Sequence, residues 1–145
     1  MNRSELLQKW KGNKGYTLKL ISAMPDEYWD FKPTPEVKSF RSQFAHLTTW
    51  MRTHSRFVTG VTMEKPSVKT REDILWHLTE FFDALLAYLK EADEGALDEI
   101  VPVFYGKRSK EFILQVMDNH LSHHRGQVVV YLRLCRVVPP GYRGW

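Results

Sequence analysis

The chain has 145 residues, 43% of them hydrophobic and 26% charged, with a formal net charge of +4. That length and balance describe one globular domain over residues 1–145 with a sizeable core, and they exclude a disordered or fibrous chain. No apolar run reaches the roughly 20 residues that cross a bilayer, and Met1 to Trp10 lacks the apolar stretch of a secretion signal, so the expected setting is the cytoplasm, away from membranes.

Hydrophobic spacing predicts four helices, no strand and no internal repeat, hence an all-α four-helix bundle. The first helix is expected from about Ser4 to Met24, with Leu6, Trp10, Thr17, Leu20, Ile21 and Met24 on one face; Gly12 and Gly15 weaken its middle and Pro25 ends it. Residues 25–38 hold three prolines and read as an ordered connection whose Tyr28, Trp29 and Phe31 cover one end of the core. The second helix is expected from Phe40 to Thr59 behind Ser39 as N-cap, carrying Phe44, Leu47, Trp50, Met51, Phe57 and Val58. In the third, Thr70 and Asp73 form a capping box ahead of Ile74, Leu78, Phe81, Phe82, Leu85 and Leu89.

Residues 93–108 read as a longer loop whose Phe104 and Tyr105 suggest a folded cover rather than a slack linker. Ser109 caps the fourth helix, expected to reach about Val137 before Pro139 and Pro140. Residues 101–145 hold seven Lys and Arg against two Asp and Glu. These cations are spread out rather than clustered, and no nucleic-acid-binding module is present, so nucleic acid is not an expected partner. Cys135 is alone, cannot form an internal disulfide, and reads as a packing residue.

The chemistry concentrates in the fourth helix. His120 and His124 are four residues apart, which on a helix means about 40° of rotation and about 6 Å of rise, so two imidazoles can converge on one cation. Ile113, Val116, Met117, Tyr131, Leu134 and Cys135 fall within about 60° of His120, which puts both rings on the apolar face, while Asp118, Ser122, Arg125 and Arg133 fall on the far side. His123 lies on the rim. Gln127 projects inward, either to orient a ligand or simply to satisfy the core. Desolvating two adjacent imidazoles is unfavourable unless something such as a cation compensates.

A working metal site needs a third ligand and an open position. The second helix offers His46 and His54, eight residues or about 12 Å apart, too far for both to serve one ion. Periodicity mildly favours His54, nearer the centre of the apolar stripe. His77 sits at the edge of the third helix's apolar face and reads as an ordinary boundary histidine.

The run Ser39-Phe40-Arg41-Ser42-Gln43-Phe44-Ala45-His46-Leu47, the block His120 to Gln127, and the ending Tyr131-Leu132-Arg133-Leu134 with Pro139-Pro140 resemble the DinB (YfiT-like) family of metal-dependent enzymes over nearly the whole chain. The resemblance implies an up-down-down-up bundle, often a homodimer, in which one histidine early in the second helix joins two from the last. Carried over, the implied metal ligands are His46, His120 and His124, with His123 and His54 left over. It further implies chemistry with low-molecular-weight thiols or metal-assisted hydrolysis on a small-molecule substrate, and a role in the stress response. Zinc, nickel and iron(II) all suit an all-imidazole site. No catalytic residue beyond the ligands stands out. The competing reading is a non-catalytic metal-binding or dimerisation module.

Overall fold

The computed structural model describes residues 1–145, in the order α1 (Arg3–Ala23), α2 (Phe40–Thr59), α3 (Arg71–Glu91), β1 (Ile100–Val103), β2 (Gly106–Ser109) and α4 (Lys110–Leu134). The helix starts are those that local chemistry dictates. The Ser39 hydroxyl accepts from the Ser42 amide, Ser109 from Phe112, and Thr70 with Asp73 closes a reciprocal capping box. A second such box, Asn2 with Glu5, starts α1 just ahead of the expected position. Gly60, at φ 74°, ends α2 in the left-handed conformation that favours glycine. At the other end α4 stops at Leu134, short of Val137.

Contacts between named residues fix the helix directions. Arg71, at the start of α3, donates to Ile21 and Met24 at the end of α1, while Arg3 reaches Ala92 just beyond α3, so these two helices run antiparallel. Asn13 contacts Asp118 and Arg125 while Lys9 pairs with Asp118, so α4 runs parallel to α1. Gln43, early in α2, meets Tyr131, late in α4, and His46 meets His120, so these two are antiparallel. The result is an up-down-down-up bundle in which α1 and α2 each pack on both α3 and α4. One cluster of 23 buried hydrophobic residues fills it, with Trp10, Phe40, Phe44, Phe81 and Phe82 the largest. No helix is long and apolar enough to cross a membrane.

Two expectations need correction. Residues 100–109 form an antiparallel hairpin, Val103 opposite Gly106, where a loop without strands was expected. The strands are four residues each and half-exposed, too short for an alternating pattern to stand out, and Phe104-Tyr105 is the two-residue turn, with Gly106 at φ 111°. Leu134, expected on the buried face with His120, is 56% exposed, whereas Arg125, which points away from the histidines as expected, is 4% exposed because it bridges to Asn13 of α1. A helix packed against two neighbours buries two flanks, so α4 hides residues on its α1 side that a single apolar stripe centred on His120 leaves outside.

The segment before α2 is ordered by backbone bonding: the Phe40 amide donates to Phe31 and the Arg41 amide to Trp29. Trp29 then packs edge-on against Phe40 and Phe31 against Tyr131, closing that end of the core as expected, while Tyr28 is 38% exposed.

Candidate metal centre

Polar and aromatic residues recur along the facing sides of α2 and α4. On α2 they are Gln43, His46, Trp50 and His54; on α4 they are His120, His124, Gln127 and Tyr131. Spacings of three and four keep each set on one helical face. Because the two helices are antiparallel, Gln43 meets the His124-to-Tyr131 end while His46 and Trp50 meet His120.

His46, His120 and His124 come together. One ligand nitrogen from each lies within 4.8 Å of the others, and the ring centroids are 4.6 to 5.3 Å apart. Three nitrogens around a tetrahedral ion at about 2.1 Å sit about 3.4 Å apart, so small side-chain rotations bring these three onto one cation. His120 Nε2 is buried with no hydrogen-bond partner. A buried ring nitrogen with no partner, on a histidine packed beside two others, is unfavourable in an empty core and suits a ligand atom. The cluster could hold a metal ion, and the residues fit one.

The rings are also in the protonation state that binds metal. Burial is the main cause that pushes His120 down to about 4 and His124 down to about 3, with the neighbouring histidines adding to it; His46 is lowered too, by burial first and Lys38 second. All three are neutral at neutral pH, with lone pairs available.

The tautomer of His124 is set by a residue that the spacing arguments passed over. Its Nδ1–H donates to Gln43 Oε1 at 2.5 Å, which leaves Nε2 as the free lone pair. Gln43 is held in turn: its amide donates to Gln127 Oε1 at 2.8 Å and to the Tyr131 hydroxyl at 3.3 Å, and that hydroxyl donates to the Lys38 carbonyl at 2.7 Å. The signal was a glutamine among Phe40, Phe44 and Leu47, three residues before His46 on the same face. Gln127 points inward as expected, but bridges Gln43 and the exposed His123 instead of touching the three-histidine cluster.

His54 is the more deeply buried of the two α2 histidines, at 1% exposure, as its stripe position indicates. It is nevertheless excluded from the cluster. The Trp50 indole is stacked on His54 at 3.4 Å and on His120 at 4.0 Å, nearly parallel to both, so it lies between them. His54 Nδ1–H donates to the Trp50 carbonyl at 3.0 Å, and the hairpin turn covers the other side, with Tyr105 at 5.9 Å and Phe104 at 5.6 Å. The aromatic loop is thus a cover, and what it covers is His54. His77 is a boundary residue that accepts from the Ser67 amide, and Cys135 is half-buried.

The DinB family model matches residues 1–144. Among solved structures, a DinB-like protein from Bacillus subtilis aligns with TM-score 0.77 at 17% identity, covering 97% of this chain and 99% of its own. A DinB-like protein from Bacillus cereus aligns with TM-score 0.78 at 23% identity, covering 94% of this chain and 95% of its own. A candidate DinB family member from Exiguobacterium sibiricum aligns with TM-score 0.70 at 23% identity, covering 94% and 93%. Among proteins of curated function, none matches.

Proposed function

The chain belongs to the DinB family, and on that premise we propose that it is a divalent-metal-dependent enzyme in which His46, His120 and His124 hold one ion of zinc, nickel or iron(II). The observation that carries this reading is the convergence of three neutral imidazoles within 4.8 Å, one of them with a buried unpartnered nitrogen. Held by three uncharged ligands, such an ion keeps its full positive charge and lowers the proton affinity of a coordinated water or thiol.

The chain's own residues do the rest. Gln43 fixes the His124 tautomer, Tyr131 and Gln127 fix Gln43, and the Trp50 indole lies flat on His120 and limits its rotation. The reading extends to a small-molecule substrate and a low-molecular-weight thiol or water as its reaction partner, in a homodimeric cytoplasmic protein of the stress response. The family resemblance supports these, and the absence of a serine triad or paired carboxylates on the inner faces leaves the metal as the source of reactivity.

The test is elemental analysis of the purified chain beside a His120→Ala, His124→Ala double variant and a His54→Ala control. Stoichiometric metal in the parent and the control, lost in the double variant with the helical signal kept, is the expected result. Equal metal in all three would reject the assignment. Consumption of a small thiol against an electrophile, abolished by chelation, separates thiol transfer from hydrolysis.

A further inference from the structure

Arg125 and Gly126 directly follow a candidate ligand yet take no part in the three-histidine cluster. Arg125, about 140° around α4 from His120, is 4% exposed, and its partners are all neutral: Nη1 donates to Asn13 Oδ1 at 2.9 Å, Nη2 to Ser122 Oγ at 3.3 Å, and the guanidinium lies 5.2 Å over the Tyr16 ring. Its Nε is buried with no partner. The carboxylate whose charge it feels, Asp118, is already engaged, accepting from Asn13 Nδ2 at 2.9 Å and pairing with Lys9 at 3.0 Å. A buried cation with no anion bonded to it is unfavourable.

Gly126 raises a second question. A mid-helix glycine destabilises the helix relative to alanine, and the usual reason for one is the close approach of another element. Here a Cβ would meet nothing within 4 Å. Both residues line a groove of about 290 Å³ that also takes in Tyr16, Ser122, Arg133 and Tyr142. The groove thus offers two guanidiniums and three hydroxyls, and no carboxylate lines it. Its size is at the lower end for small-molecule sites.

We propose that this groove, on the far side of α4 from the histidines, binds a small oxyanion, the phosphate or carboxylate group of a small molecule. Arg125 and Arg133 supply the charge and the forked donors that such groups take, and Gly126 leaves the ligand room against the helix. The inference does not depend on the metal reading, and the His120→Ala, His124→Ala variant keeps the site.

The experiment titrates the full chain with inorganic phosphate, and separately with acetate, at ionic strength held constant with chloride, following backbone amide shifts. Saturable one-site shifts at Ser122, Gly126 and Tyr142 with either anion are expected. Arg133→Gln weakens them about tenfold or more and keeps the parental melting temperature, and Gly126→Met, whose Cβ meets nothing within 4 Å, fills the groove and blocks them with a melting temperature no lower than the parent's; both variants keep the parental metal content. Failure of both anions to saturate, or unchanged affinity in Arg133→Gln, overturns the proposal. Shifts that follow protein concentration instead of anion also overturn it, by making this face a contact between copies of the chain.

Discussion

Gln43 Oε1 lies 2.5 Å from His124 Nδ1, bridging α2 and α4 behind the three-histidine cluster. A glutamine side chain presents both an acceptor and donors, so Gln43 can hold an imidazole N–H on one side while its amide is anchored by Gln127 and Tyr131 on the other. Gln43→Leu keeps the bulk but strands the His124 N–H. Metal affinity is expected to fall about 10- to 100-fold, with a loss of about 1 to 3 kcal/mol in the stability of the metal-free protein. Competition titration with a chelating dye measures the first and urea unfolding the second; affinity equal to the parent would remove Gln43 from the site.

His54 should behave in the opposite way. Its Nε2 is a buried acceptor without a donor, and Trp50 separates it from His120. Replacing it by leucine removes an unsatisfied polar atom at similar volume, so His54→Leu is expected to retain full metal content and to be neutral or slightly stabilising. Metal lost from this variant would move the third ligand from His46 to His54.

Acid should unfold the metal-free protein earlier than its carboxylates alone require. Burial holds His124 at about 3 and His120 at about 4, and lowers His46 and His54, against 6.5 for the free side chain. The unfolded chain therefore takes up protons below about pH 6.5 that the folded chain refuses, and stability falls as the pH drops from there through about 4 toward about 3. Above about pH 6.5 these histidines contribute no pH dependence. Urea midpoints collected from about pH 8 to about pH 4 report the slope, and the His120→Ala, His124→Ala variant should flatten it.

The two glycines of α1 are not equivalent. A Cβ on Gly15 would meet nothing within 4 Å, so Gly15→Ala should stabilise by about 0.5 to 1 kcal/mol. A Cβ on Gly12 would collide with the backbone carbonyl of Trp145, where the chain after α4 folds back across α1. Gly12→Ala therefore displaces that segment despite the better helix propensity of alanine. Thermal melts, with the mutual packing of Tyr16 and Tyr142 followed by near-ultraviolet dichroism, distinguish the two.

The helices and their caps were legible in the sequence because they depend on neighbours in the chain: Ser39, Thr70 and Ser109 act on amides three residues away. The pairing of His120 with His124 was legible for the same reason, since one helical turn joins them. Which histidine of α2 completes the set was not settled by periodicity. Burial along a stripe singles out His54, the deeper residue, and only the family resemblance pointed to His46; what brings His46 to the other two is the antiparallel register of α2 on α4, with the Trp50 indole walling His54 off. Gln43 and Arg125 took their roles from tertiary contacts in the same way, one reaching across to α4 and the other into the seam with α1. A local pattern encodes what one element presents, but meeting distances between elements arise only when the whole core has chosen their directions and register.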